Sequence, residues 1–193
     1  MLQLQKNASI NLTKAVANLT RYAVGLSWDA NTDLDAVAVA LGADGKIINP
    51  SDANVAYYGN CTGNSFDAPV NPVAGITHSG DARDGAAAGD DETITIDTTK
   101  LRSDIKRVLI AITSYSDGEP MTFSSAAAPV ARLYDQNGKV LFEVKLDENA
   151  AFSTAVEFVE FSKADNGEWS VKNLTNPIGE CSANGLSDVL AAH

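Results

Sequence analysis

The feature that most constrains the fold is a succession of short segments in which apolar and polar residues alternate and β-branched or aromatic residues are frequent. Such alternation is typical of β-strands with one buried face. Many short strands favour a sandwich or a barrel over an α/β fold, which would need crossover helices. The segments are Leu34–Leu41, Asn54–Tyr58, Glu92–Asp97, Lys106–Thr113, Val130–Asp135, Lys139–Leu146, Thr154–Ser162 and Glu168–Asn173.

The connections between these segments indicate antiparallel pairing. Asn137-Gly138 lies between two alternating segments and predicts a two-residue hairpin, because a type I′ turn needs positive φ at both central residues. Helical patterns are confined to Ser187–Ala192 and, more weakly, Glu148–Thr154. We therefore predict an all-β protein, a two-sheet antiparallel β-sandwich with a short C-terminal helix, in which residues 1–193 form one domain.

The negative charge of the chain is concentrated in one region. Between Asp29 and Glu92 there are eleven acidic residues and two basic ones, Lys46 and Arg83, so this region carries −9 of the net charge of −11. We do not expect nucleic-acid binding, because it requires clustered Lys and Arg. The first residues show no basic start before an apolar run, and no membrane-spanning stretch follows, so we expect a cytoplasmic protein.

The acidic residues form two clusters, Asp29–Asp35 and Asp81–Glu92, and the second ends the long, aperiodic connection Gly59–Asp91. Carboxylates placed close together repel one another, and a bound cation removes that cost. Carboxylate, amide and carbonyl oxygens in an adaptable cage are the ligands of calcium, whereas magnesium requires stricter octahedral geometry. The two clusters therefore predict long acidic loops that bind Ca²⁺.

Other interpretations of these residues are weaker or remain open. The spacing of Asp29, Asn31, Asp33 and Asp35 imitates an EF-hand, but Leu34 stands where that loop needs Gly. Taken alone, this first cluster equally fits a solvated loop that enters a strand. A hydrolase that uses paired carboxylates is conceivable, although nothing in the sequence separates their pKa values.

The remaining candidate residues are interpreted as structural. Cys61 and Cys181 are isolated in sequence, and no Cys or His partner accompanies His78 at zinc-ligand spacing. Trp28 and Trp169 flank predicted strands, where aromatic residues usually belong to the core. No nucleophile-elbow, P-loop or dinucleotide-binding motif occurs, so we expect a protein that is not an enzyme.

Six motifs together resemble the TerD family of tellurite-resistance and stress-response proteins from end to end. In order they read GLSWDANTDLDAVAVAL, DGKI, VAYYGN, ITHSGDARDGAAAGDDETITID, IKRVLIAIT and GEWSV. The most specific of them are the WD…DLD and HxGD…GDDE elements. The resemblance implies a β-sandwich of two sheets with calcium bound in acidic loops.

Carried over by position, the resemblance implies a set of calcium ligands. Ala82, Ala86 and Ala88 stand where the family commonly has polar or acidic residues, which implies fewer side-chain ligands and leaves open either one ion instead of two or weaker binding. The region Thr62–Val73 is longer than the usual connection. The implied ligands are Asp29, Asp33 and Asp35 from the first motif and Asp81, Asp90, Asp91 and Glu92 from the second.

The resemblance implies a calcium-binding, non-enzymatic module in bacterial stress response, which acts as a scaffold or binding protein for protein partners of unknown identity. The alternative is a structural or assembly protein of a phage particle or another large complex that uses a TerD-like sandwich. A metal-assisted hydrolase ranks third.

Overall fold

The computed structural model describes residues 4–15, 19–29, 32–61, 70–178 and 181–193. Twelve strands are distributed over two sheets, and three α-helices are short. The strands are β1 Ser9–Asn11, β2 Arg21–Ser27, β3 Asp33–Leu41, β4 Val55–Ala56, β5 Val70–Val73, β6 Ile76–His78, β7 Glu92–Asp97, β8 Arg107–Tyr115, β9 Val130–Asp135, β10 Val140–Lys145, β11 Ala155–Lys163 and β12 Trp169–Pro177. The helices are α1 Leu12–Ala15, α2 Leu146–Asn149 and α3 Gly185–Ala192, and three 3₁₀ turns span Ser51–Ala53, Tyr58–Asn60 and Phe123–Ser125.

Each sheet has six strands, and the strands described pair antiparallel. The first sheet has the order β1-β12-β11-β8-β3-β4, and the second has the order β10-β9-β2-β7-β6-β5. The longest register joins β3 to β8, from Asp33 opposite Tyr115 to Leu41 opposite Arg107. This architecture confirms the predicted all-β fold of two antiparallel sheets.

The principal core contains apolar side chains from both sheets. Strand β3 shows the arrangement: Leu34, Ala36, Ala38 and Ala40 belong to the principal core, and the alternate side chains Val37, Val39 and Leu41 belong to a second cluster. Leu186 and Val189 of α3 join that second cluster. Strand β3 is therefore buried on both faces, which explains why its sequence is almost continuously apolar.

The predicted strands are found in the structure, but several further strands were missed. Strand β2 carries Ala23 and Gly25, whose side chains are short or absent, so its alternation is weak in the sequence. The connection Gly59–Asp91 was predicted to be aperiodic, yet it contains β5 and β6, two short strands at the edge of the second sheet. Most of the Thr62–Val73 region lies outside the described residues.

The hairpin between β9 and β10 is confirmed, but its predicted type I′ turn is wrong. Gly138 has φ of 75°, whereas Asn137 is not among the described residues with positive φ. The N–H of Gly138 donates to the carbonyl of Asp135, and the Asp135 side chain accepts from the N–H groups of Asn137 and Lys139. The Asp135 carboxylate therefore stabilises a longer loop with only Gly138 in the left-handed region.

Smaller predictions have mixed outcomes. Trp28 and Trp169 are buried, as expected for core residues, and Cys61 is buried as well. Cys181 is exposed, because it lies on the surface connection before α3. The helical pattern at Glu148–Thr154 corresponds to the single turn of α2, which begins and ends earlier. The C-terminal helix is present as α3.

Among the residues described, no helix is long and apolar enough to cross a bilayer.

Candidate metal centre

Three of the predicted ligands converge at one place. Asp33 and Asp35 are two residues apart on β3, so their side chains leave the strand on the same face. Asp81 reaches them from the loop that follows β6. One carboxylate oxygen of each of the three lies within 4.8 Å of the others. We call Asp33, Asp35 and Asp81 the carboxylate triad.

The innermost member of the triad, Asp35, has no hydrogen-bond partner for its carboxylate among the described residues. Its residue surface is 1% exposed, and both carboxylate oxygens are buried without a hydrogen-bond partner among the described residues. Oδ1 of Asp33 is in the same situation. A buried, unpaired carboxylate is costly unless it is protonated or bound to a cation.

The pKa values of the triad reflect this cost. Burial, followed by the charges of Asp33 and Asp81, raises the pKa of Asp35 well above its ordinary value. Burial and the charge of Asp81 raise the pKa of Asp33 as well. Without a cation the site therefore retains protons more strongly than ordinary carboxylates do, and a bound cation would favour the ionised form.

Glu92 positions the triad from the second sheet. Its Oε2 accepts a hydrogen bond from the backbone N–H of Ala36 at 2.7 Å, and its Oε1 accepts one from the backbone N–H of Ala82 at 3.1 Å. Ala36 follows Asp35, and Ala82 follows Asp81. The fully buried Glu92 carboxylate therefore connects the two acidic motifs through residues adjacent to triad members.

His78 completes the same connection. Its Nε2 lies 2.9 Å from the carbonyl oxygen of Ala36, and its Nδ1 accepts a hydrogen bond from the N–H of Gly80 at 3.1 Å. Since a carbonyl only accepts and a backbone N–H only donates, the imidazole is neutral with its proton on Nε2. Burial lowers the pKa of His78, which agrees with the neutral form. His78 is therefore a structural residue, as the sequence indicated.

Asp91 and Gly85 hold the glycine-rich loop against the end of β2. The Asp91 carboxylate accepts hydrogen bonds from the N–H groups of Trp28 at 3.0 Å and Ala87 at 2.9 Å. A Cβ at Gly85 would collide with the backbone carbonyl of Trp28, so only glycine permits this approach. Asp91 thus fixes the loop that begins with the Asp81 segment.

Asp90 forms a separate polar network on the second sheet. Tyr134 Oη donates to its Oδ2 at 2.7 Å, and Arg132 Nη1 donates to its Oδ1 at 3.1 Å. The Asp90 carboxylate lies directly over Gly25, where a Cβ would collide with it. Burial, together with the hydrogen bond to Asp90, raises the pKa of Tyr134 to about 12. This carboxylate is already paired with a cation and a phenol.

The remaining residues predicted from the first motif are not part of the triad. Asp29 is exposed just beyond β2, and its backbone N–H donates to the carbonyl of Ala127. Asn31, which completed the alternate spacing, lies outside the described residues. The structure thus brings together three of the seven predicted ligands and places Asp90, Asp91 and Glu92 in hydrogen bonds with the protein itself.

The residues of β8 that lie beside the triad were not predicted from the sequence. The triad opens into a cleft of about 530 Å³. Thr113 and Tyr115 of β8 lie opposite Asp35 and Asp33 in the strand register, and the buried Oγ1 of Thr113 has no hydrogen-bond partner in the described part of the chain. Thr113 ends the IKRVLIAIT motif, but that motif does not mark Thr113 or Tyr115 as site residues; only the pairing of β3 with β8 could have found them. The cleft is lined by Asp33, Asp35, Tyr58, Asp81, Arg83, Tyr115, Ser116, Asp117 and Met121.

The donor set suits a hard divalent cation. Three carboxylates supply oxygen ligands from one side, and the cleft leaves the other side open to water or further oxygens. Calcium takes about 6 to 8 oxygen ligands in a flexible arrangement, which a one-sided site of this kind can satisfy. Protein interiors rarely leave buried oxygens such as those of Asp35 without a partner, so these atoms are the feature of the triad that most favours a cation as ligand.

Comparison with known proteins agrees with this fold. The TerD domain model matches residues 1–193. The tellurium resistance protein TerD of Serratia marcescens is 31% identical over 200 residues, which cover 100% of this chain and 96% of that protein. General stress protein 16U of Bacillus subtilis is 27% identical over 177 residues, which cover 87% and 86% of the two chains.

A solved structure gives the same result for the architecture. The crystal structure of a TerD homologue from Streptomyces coelicolor A3(2) superposes with a TM-score of 0.68 at 21% identity and covers 88% of this chain and 98% of its own. This likeness concerns the fold alone. Together with the match over the full sequence, it leads to one conclusion: the chain belongs to the TerD family.

Proposed function

We propose that this protein binds calcium through Asp33, Asp35 and Asp81, and that it acts in the bacterial cytoplasm as a non-enzymatic binding module or scaffold in the response to tellurite or other chemical stress. The single observation that carries the calcium proposal is the Asp35 carboxylate, buried at the centre of the triad with both oxygens unpartnered. A cation would provide the ligand-to-metal contacts that these oxygens lack.

The stress-response part rests on the relatives. The names of the Serratia marcescens and Bacillus subtilis proteins refer to tellurium resistance and general stress, and their similarity extends over most or all of this chain. A scaffold role, with protein partners of unknown identity, is consistent with a site that holds an ion by carboxylates from two different segments. Such an ion would fix those segments relative to each other.

The lining of the cleft supports binding rather than catalysis. Ser116 Oγ donates to the carbonyl of Glu119 at 2.7 Å, so its hydroxyl is already engaged. His78 lies behind the triad, buried and bonded to the backbone at both ring nitrogens. In the part of the chain that the structure describes, the cleft therefore presents no serine activated by a histidine.

Thermal melting tests the proposed calcium binding. A ligand that binds only the folded state stabilises it by about 2.7 kcal/mol at a hundredfold excess over Kd. We expect chelator-stripped wild-type protein to melt at a higher temperature in calcium, and we expect Asp35→Asn to show no such shift. Asp29→Asn is the matched control and should keep the shift. An identical wild-type melting temperature in calcium and in chelator would overturn the proposal.

Growth on tellurite tests the stress role. In a bacterial host without its own TerD-family genes, the wild-type chain should improve survival, and Asp35→Asn at equal protein level should not. Equal protection by both would disconnect the stress role from calcium. Absence of protection by the wild type would contradict the stress role itself.

A further inference from the structure

The acidic region contains two basic residues, and one of them, Arg83, contacts Asp81 of the triad and lines the cleft. Arg83 Nε lies 3.3 Å from Oδ2 of Asp81. The Arg83 side chain is 79% exposed and lines the cleft, whereas Asp81 is only 16% exposed. The guanidinium of this long, exposed side chain therefore contacts a carboxylate that the proposed metal would also use.

The charge of Arg83 acts on more than Asp81. It lowers the pKa of both Asp33 and Asp35, against the larger raising effects of burial and of neighbouring carboxylates. All three members of the triad are therefore within electrostatic range of the guanidinium. Among the described residues that line the cleft, Arg83 is the one basic side chain, so its charge partly offsets that of the three carboxylates.

We propose that Arg83 is an internal competitor of the metal, which balances the triad in the calcium-free state and sets the calcium affinity by repelling the ion and occupying Asp81. This inference rests on the proposed calcium site. It assigns to Arg83 a regulatory role that is distinct from ligation, because a guanidinium has five N–H donors and no acceptor.

The competitor role predicts effects of opposite sign on stability and on affinity. Removing the Arg83 charge leaves the triad without its counter-ion, so the calcium-free protein should melt about 2 °C lower or less, as befits an exposed ion pair. The same change removes repulsion from the bound state and frees Asp81, so calcium should bind more tightly. If Arg83 instead positions Asp81 for the metal, the same variant should bind calcium more weakly.

Calorimetric titration of chelator-stripped protein with calcium chloride tests the inference. At low ionic strength we expect Arg83→Gln to bind about tenfold more tightly than the wild type, equal to about 1.4 kcal/mol. Arg83→Lys keeps the charge and should stay within about threefold of the wild type. At 1 M salt, where the screening length is about 3 Å, the difference between wild type and Arg83→Gln should shrink.

Arg21→Gln is the matched control. Arg21 is also an exposed arginine, and its Nε lies 3.0 Å from Oδ2 of Asp97. It begins β2, whereas the acidic loop contacts Trp28, which follows the other end of that strand. This variant should leave the calcium affinity unchanged within about twofold.

The outcomes separate the two proposals. Calcium binding by the wild type with unchanged or weaker affinity in Arg83→Gln would refute the competitor role alone. Calcium binding by the wild type that is about tenfold tighter in Arg83→Gln would support it. Absence of binding in both would refute the calcium site and the competitor role together.

Discussion

Oε2 of Glu92 accepts a hydrogen bond from the backbone N–H of Ala36 at 2.7 Å, one residue after Asp35. In the described part of the chain, strand β4 pairs with β3 only at Ala38 and Val39. At Ala36, just before this pairing, the backbone of β3 contacts the side chains of Glu92 and His78 instead of a neighbouring strand. Residues of the second sheet thus hold β3 of the first sheet beside Asp35. The predicted calcium site lies where this inter-sheet connection ends.

The Glu92 connection predicts a loss of both stability and calcium affinity in Glu92→Gln. The amide offers one acceptor oxygen and turns an NH₂ group toward the second backbone donor, so one buried N–H loses its partner. We expect a cost of about 1–3 kcal/mol in the free energy of unfolding, measured by urea denaturation. Calcium should also bind more weakly, because Asp35 and Asp81 lose their common anchor. Glu148→Gln, at an exposed position, is the control. An unchanged stability would show that the connection contributes nothing.

Asp90 has a different role and gives a different prediction. Since its carboxylate is bonded to Tyr134 and Arg132, Asp90→Asn should lower the free energy of unfolding by about 1 kcal/mol. Calcium affinity measured by titration should remain within about twofold of the wild type. A folded Asp90→Asn protein without calcium binding would instead make Asp90 a ligand, as the family resemblance implied.

The packing of Asp90 over Gly25 predicts that Gly25→Ala is strongly destabilising. The added methyl group would occupy the position of the Asp90 carboxylate, so the side chain or the strand must move. We expect about 1–3 kcal/mol of destabilisation by urea denaturation. Gly118→Ala is the matched control, because a Cβ at Gly118 meets nothing within 4 Å. Equal stabilities for the two variants would contradict the close packing.

The pair formed by His193 and Glu157 predicts a pH-dependent stability. Nε2 of His193 lies 2.7 Å from Oε1 of Glu157. This contact raises the pKa of His193 above its ordinary value of 6.5 and lowers the pKa of Glu157 below its ordinary value of 4.5. The His193 contribution is complete below pH 6.5 and is lost as the pH rises through the raised pKa. The Glu157 contribution is present above pH 4.5 and is lost as the pH falls through the lowered pKa.

The test for this pair is His193→Gln, compared with the wild type at two pH values. The variant should be less stable by at most about 1 kcal/mol near pH 6, and the difference should be smaller near pH 9, because the charged imidazole is lost as the pH rises through the raised pKa of His193. A loss of equal size at both pH values would show that His193 contributes by packing and not by charge.

The architecture was predictable because strands β7 to β12 carry clear alternation, and Asn137-Gly138 marks a hairpin. Strands β1, β2, β5 and β6 were not predicted, since β1 and β6 are only three residues long, and β2 contains glycine and β5 contains proline where alternation would be visible. The turn type was wrong because the Asp135 side chain, and not the Asn-Gly pair, determines that loop. The local sequence pattern thus predicted where most strands lie, whereas the turn type depended on side-chain hydrogen bonds that the pattern does not reveal.

The site was predictable only in part, because a carboxylate in a sequence does not reveal its partner. Asp35 and Glu92 look equivalent as acidic residues near strands. The structure leaves the oxygens of Asp35 unpartnered, whereas both oxygens of Glu92 accept backbone hydrogen bonds. The difference comes from the packing of β7 against β3, which depends on contacts between residues 56 positions apart in the chain.

The central claim is that Asp35 ligates calcium, and calorimetric titration of chelator-stripped wild type and Asp35→Asn tests it most directly. We expect saturable binding by the wild type and none by Asp35→Asn. The calcium-free variant should melt at a temperature at least as high as that of the wild type, because a neutral amide removes a buried carboxylate without a partner. Undiminished calcium binding by Asp35→Asn, or no binding by the wild type, would contradict the account.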